Sequence, residues 1–151
     1  MGILSRKVSC PTELDWNEAK RIVRFLIHTM DYGLKLDGST RDVEQNLEGY
    51  CDADWAGDTI DRKSASGYLF RLEEATISWT SRKQSSVTTS TMDAEYVALL
   101  EATQYAVFLR RLNLKQTRAT VIHQDNKGCM DFVAFEDRIR RNRAAVLSVQ
   151  G

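Results

Sequence analysis

Two alternating runs separated by two residues constrain this chain most. "GYLFRL", 67–72, puts Tyr68, Phe70 and Leu72 on one side, and "ATISWTS", 75–81, puts Ala75, Ile77 and Trp79 on one side. A period of two over six or seven residues is a strand signature. So short a connection predicts an antiparallel hairpin. "GYCDADW", 49–55, reads as a strand ahead of it. On either side the period becomes helical. Residues 12–31 carry Trp16, Ala19, Val23, Leu26, Ile27 and Met30 on one stripe. A Thr12–Asp15 capping box starts that helix and Gly33 is placed to end it. Lys20, Arg21, Arg24 and His28 form its solvated face. Residues 90–112 predict a longer helix, capped by Ser90 with Asp93 and buried along Met92, Tyr96, Leu99, Thr103, Val107 and Phe108. "ATVIHQD", 119–125, is a further strand, and "NKGCMDFVA" begins a short helix. The polar stretch 37–48 reads as a linker or surface loop. Three strands, helix, strand, helix is the order of an α/β fold, a mixed sheet with helices packed on it.

The 151 residues suffice for one domain with a real core. Apolar runs such as "VALL" and "YAVFL" are far short of a membrane span. The N-terminus lacks an apolar signal core, so the expectation is no membrane partner and an intracellular location, cytoplasmic or nuclear. Formal net charge is zero, and nucleic-acid binding would need a local patch. Cys10, Cys51 and Cys129 are far apart and read as reduced thiols. His28 and His123 do not pair with them at zinc-ligand spacing.

"GYCDADWAGD", 49–58, concentrates Asp52, Asp54 and Asp58 beside Tyr50 and Trp55. That is either an acidic surface turn or half of a cation site. Asp52 falls in the first strand, Glu95 one turn into the long helix, and Asp125 at the close of the fourth strand. A helix packed across neighbouring strands can bring the three together. Converging carboxylates repel one another unless a cation joins them. Mg²⁺ is held by a few carboxylates, waters and substrate phosphate. Two such ions about 4 Å apart assist phosphodiester cleavage.

The blocks "GYCDADWAGDTIDRKSASGYLF", "ISWTSRKQSSVTTSTMDAEYVAL" and "VIHQDNKG" resemble the ribonuclease H domain of copia-type retrotransposon Pol polyproteins. The upstream stretch "LSRKVSCPTELDWNEAKRIVRFLIHTMDYGL" is similar to the segment joining the reverse transcriptase of those polyproteins to its ribonuclease H. The resemblance implies a ribonuclease H-like mixed sheet that lacks its last strand and helix. It divides the chain into a reverse transcriptase tail and linker (1–47), a ribonuclease H-like domain (48–134) and a diverged basic tail (135–151). It implies a Mg²⁺-dependent endonuclease, with Mn²⁺ as a substitute, that cleaves the RNA strand of an RNA/DNA hybrid. Asp52, Glu95 and Asp125 match the family's metal-binding carboxylates. The implied partners are the hybrid and the reverse transcriptase domain of the same polyprotein.

The family pattern continues close to "R-x-K-H-I-D-I-R-Y-H", which supplies a last aspartate. This chain reads "FEDRIRRNRAAVLSVQG" and places Arg143 where that aspartate should be. Asp131, Glu136 and Asp137 are substitutes that no spacing recommends. The alternative function is therefore a noncatalytic remnant that binds nucleic acid or a protein. Arg82, Lys83 and Gln84, with Arg62 and Lys63, are candidate phosphate contacts or an ordinary solvated loop. "RIRRNR" is a nonspecific nucleic-acid tail or a disordered end. His123, Trp16 and Trp79 read as structural, and Asp54 and Asp58 as turn or surface residues.

Overall fold

The hairpin forms as the alternation requires. In the computed structural model, which describes residues 2–34, 36, 46–58, 60–112 and 119–148, strand β2 (Ala65–Leu72) turns through Glu73 and Glu74 into β3 (Ala75–Lys83). Glu73 takes the left-handed φ of 52° that the turn needs. Its amide donates to the Asn46 carbonyl at 3.0 Å, and its carboxylate accepts from the Asn46 amide at 2.7 Å. The turn is thereby tied to the start of β1 (Leu47–Asp54). One bulge breaks the β2–β3 ladder after Phe70: Ser78 pairs with Phe70 and Thr76 with Arg71. Strand β1 runs antiparallel to β2 and parallel to β4 (Val121–His123), so the sheet order is β3-β2-β1-β4. Helix α3 (Thr91–Arg111) is the crossover that a parallel β1–β4 pair demands. The fold is a mixed α/β sheet with helices, as the sequence order predicts.

The core lies between α3 and the sheet. Leu47, Cys51 and Phe70 meet Ala102, Ala106 and Leu109, with Tyr68, Leu72, Leu99, Tyr105 and Ile122 at its margin. Phe70 is fully buried, and Gly49 makes room for it. A Cβ at Gly49 would stand 2.6 Å from a Phe70 ring carbon. The predicted stripe of α3 is corrected. Its buried positions are Ala94, Glu95, Ala98, Ala102, Ala106 and Leu109, while Thr103, Val107 and Phe108 are exposed. Large side chains already rise from the sheet, and only a row of alanines lets the helix close over them.

Helix α2 (Glu13–His28) starts as predicted, with Thr12 and Asp15 in a reciprocal capping box. It ends earlier, at the Thr29 cap, and Gly33 has no role in stopping it. Lys7 beside Asp15, with Thr12, holds that buried carboxyl down to about 2. Trp16 is 63% and Trp79 60% exposed, so neither is the core residue that the sequence suggests. Short helix α1 (Gly2–Ser5) precedes α2. Residues 37–45 of the expected linker lie outside the described residues, and Leu47 and Glu48 already belong to β1. Helix α4 (Lys127–Ser148) continues well past the short helix expected, so "RIRRNR" is helical rather than a disordered end. Tyr96 of α3 meets Phe132 of α4 edge to face at 5.4 Å. Among the described residues, no helix is long and apolar enough to cross a membrane.

Candidate metal centre

The fold brings Asp52, Glu95 and Asp125 together. Each offers a carboxylate oxygen, and these oxygens all lie within 4.8 Å of one another. Asp52 comes from β1, next to the sheet's parallel seam. Glu95 comes from the first turns of α3, whose start is fixed by the Ser90 cap accepting from the Asp93 amide. Asp125 follows β4, in the turn before α4. That turn is shaped by Asn126, whose side chain accepts from the Cys129 amide at 2.9 Å.

Burial and charge divide the three. Asp52 and Asp125 are exposed and Glu95 is buried. Burial pushes the Glu95 carboxyl up, and the charges of Asp52 and Asp125 add to the shift. Hydrogen bonds from Gln124 and the Ala53 backbone oppose it. Among the described residues, no Lys or Arg is among the groups that most shift Glu95. A divalent cation would supply positive charge there, and clustered hard oxygen donors are the set that Mg²⁺ prefers. The residues present thus fit such an ion. Among the described residues no fourth Asp, Glu, His or Cys joins the cluster.

Gln124 is the site residue that sequence reasoning missed. Its amide nitrogen donates to Glu95 Oε2 at 2.9 Å, and its oxygen accepts from the Asn126 amide at 3.0 Å. One side chain thereby links α3 to the turn bearing Asp125. Its place just before Asp125 was the available signal. Behind the cluster, burial and the charge of Glu95 push the Cys51 thiol up to about 12, so it stays protonated. Cys129 is raised for the same reasons.

The three expected phosphate contacts divide differently. Gln84 is 2% exposed, and its amide nitrogen donates to Ser66 Oγ at 2.9 Å and the Ala94 carbonyl at 3.0 Å. It ties β3 to the start of α3 and offers no surface to a phosphate. Arg82 pairs with Glu101 at 3.1 Å. Lys83 pairs with both Asp58 and Asp61 at 2.6 Å. Asp58 is no ordinary turn residue, being 6% exposed and also gripped by Arg6 at 2.8 Å. Lys83, the Ile60 amide and Arg6 hold its carboxyl well below the usual carboxylate range. Trp55 is 41% exposed and donates its indole N–H to the Thr88 carbonyl at 3.3 Å.

Known proteins place the chain. A secreted RxLR effector protein of Plasmopara viticola is 48% identical over 109 residues, 72% of this chain and 75% of that protein. The retrovirus-related Pol polyprotein from transposon RE2 of Arabidopsis thaliana is 38% identical over 130 residues, 83% of this chain. That from transposon TNT 1-94 of Nicotiana tabacum is 37% identical over 135 residues, 87% of this chain. The chain belongs to a retrotransposon-derived family. These Pol relatives are of the copia type. The retrotransposon-derived chain spans only 9% and 10% of their length. No family model and no solved structure matches it.

Proposed function

We propose that this retrotransposon-derived chain is a ribonuclease H-like domain, a divalent-cation-dependent endonuclease that cuts the RNA strand of RNA/DNA hybrids. The observation that carries this reading is the meeting of Asp52, Glu95 and Asp125 oxygens within 4.8 Å from three separate elements. Asp52, Glu95 and Asp125 would hold Mg²⁺, or Mn²⁺ in its place, and the bound ion would supply positive charge toward a phosphodiester and acidify water. Asp52 and Asp125 are the exposed carboxylates that would hold the ion within reach of solvent and substrate. Glu95 is the buried anchor, oriented by Gln124. Arg82 and Lys83 remain the candidate phosphate contacts, each exchanging a carboxylate partner for the nucleic acid. In this reading residues 1–47 are the tail of a reverse transcriptase, 135–151 are a diverged tail, and the domain works intracellularly, in cytoplasm or nucleus.

One observation favours a second reading. Three carboxylates form the cluster, no fourth joins it among the described residues, and Arg143 stands where the family pattern has its last aspartate. A noncatalytic remnant that binds nucleic acid or a protein partner would have this composition. Cleavage of an end-labelled RNA/DNA hybrid by the purified full chain separates the two. The expected result is product in Mg²⁺ or Mn²⁺ and none in excess chelator. A folded sample that binds hybrid but yields no product in either ion would overturn the endonuclease reading and leave the remnant.

A further inference from the structure

Two aromatic rings stand immediately beside the carboxylates. Tyr50 and His123 are register partners on the parallel strands β1 and β4. Their rings stack, with centroids 4.6 Å apart and planes within 20°. Each sits two residues before a carboxylate of the cluster, Asp52 or Asp125. Along β1 a two-residue step is about 7 Å and returns to the same face. Tyr50 is 37% exposed and the His123 side chain 49%. Glu48 steadies the pair: the Tyr50 hydroxyl donates to its carboxylate at 3.3 Å, and His123 Nε2 lies 4.0 Å from the same oxygen.

The pair shares one concavity with two of the acids. A cavity of about 430 Å³ is lined by Tyr50, His123, Asp52 and Asp125. A second, of about 440 Å³, shares Tyr50 and Asp52 with the first and is also lined by Gly67, Leu69 and Trp79. Flat rings lie beside a cluster that attracts phosphate only through a cation. This arrangement suits a ligand carrying a phosphodiester and a π-face about 7 Å apart.

From this we infer that Tyr50 and His123 form a stacking platform for an unpaired nucleobase of the strand whose phosphodiester the carboxylates hold. The inference rests on the polynucleotide reading of that cluster. Base–aromatic stacking tolerates any base, so the platform adds affinity and register rather than sequence preference. Such a contact corresponds to about tenfold in binding.

The test uses the full chain, an RNA/DNA hybrid with a single-stranded RNA overhang carrying 2-aminopurine at successive unpaired positions, and Ca²⁺ to support binding without cleavage. Mn²⁺ binding, followed by electron paramagnetic resonance, reports on the carboxylates separately. Wild type is expected to quench the fluorophore at one preferred position. Tyr50→Leu and His123→Leu should lose that quenching and bind about tenfold more weakly, with Mn²⁺ binding unchanged. Tyr50→Phe loses the hydroxyl bond to Glu48 but keeps the ring, and should keep the quenching. An abasic nucleotide at the quenched position should cost wild type the same factor, a result that does not depend on any variant folding. Quenching that survives where Mn²⁺ does not bind would uphold the platform and sink the metal reading. Mn²⁺ binding with no quenching at any position, or abasic RNA bound as tightly as intact RNA, would overturn the platform.

Discussion

Asp52→Asn is expected to lower Mn²⁺ affinity at least ~100-fold and to remove hybrid cleavage. Loss of an outer-sphere partner alone costs 10- to 100-fold in metal affinity, and Asp52 is proposed as a direct ligand. The substitution changes charge while keeping shape. It also takes away one of the two negative charges that raise the Glu95 carboxyl. The cluster of three oxygens within 4.8 Å would keep two carboxylates, one of them buried. Because Asp52 is exposed and faces Gly67 across the ladder, the fold should survive, and thermal unfolding should match wild type or rise slightly. Titration with Mn²⁺ and the hybrid assay run side by side make the check. Equal Mn²⁺ affinity in the variant would remove Asp52 from any metal role.

Phe70→Ala should cost about 3–5 kcal/mol, a large share of the stability of an ordinary domain. The ring is fully buried. It lies against Tyr68 at 5.7 Å and Tyr105 at 5.6 Å between centroids. Gly49 beneath it has no side chain with which to fill the hole. The rigid ladders on either side prevent collapse. Urea unfolding of the pure protein measures the loss, and a change below about 1 kcal/mol would show that the core lies elsewhere.

The strands were legible because their signal is local. Alternation in 67–72 and 75–81 gave the hairpin, and the Thr12–Asp15 box gave the start of α2. The three carboxylates were legible only through the resemblance, since no local spacing joins Asp52, Glu95 and Asp125. What misled was the assumption that large apolar residues mark the buried side. On α3 the bulk comes from the sheet, so alanines face inward and Val107 and Phe108 outward. On α2 the same assumption placed Trp16 in a core, although α2 leaves Trp16, Val23 and Ile27 more than half exposed. Gln84 looked like one of a run of polar loop residues, but its carbonyl and hydroxyl partners come from Ala94 and Ser66, distant in sequence. Asp58 was misread likewise, because Arg6 and Lys83 reach it from distant parts of the chain.

The alanine row gives the carboxylate cluster its gauge. Ala94, Ala98 and Ala102 are wholly buried and Ala106 nearly so, at four-residue intervals along one edge of α3. Alanine has no rotamers to adjust, so the stand-off between helix and sheet is fixed by backbone and methyl groups alone. Glu95 rides on that helix, while Asp52 and Asp125 belong to the sheet side. The width of the gap an ion would enter is therefore set by residues that touch neither ion nor substrate. Drift toward larger side chains at these positions would widen it without changing a single ligand.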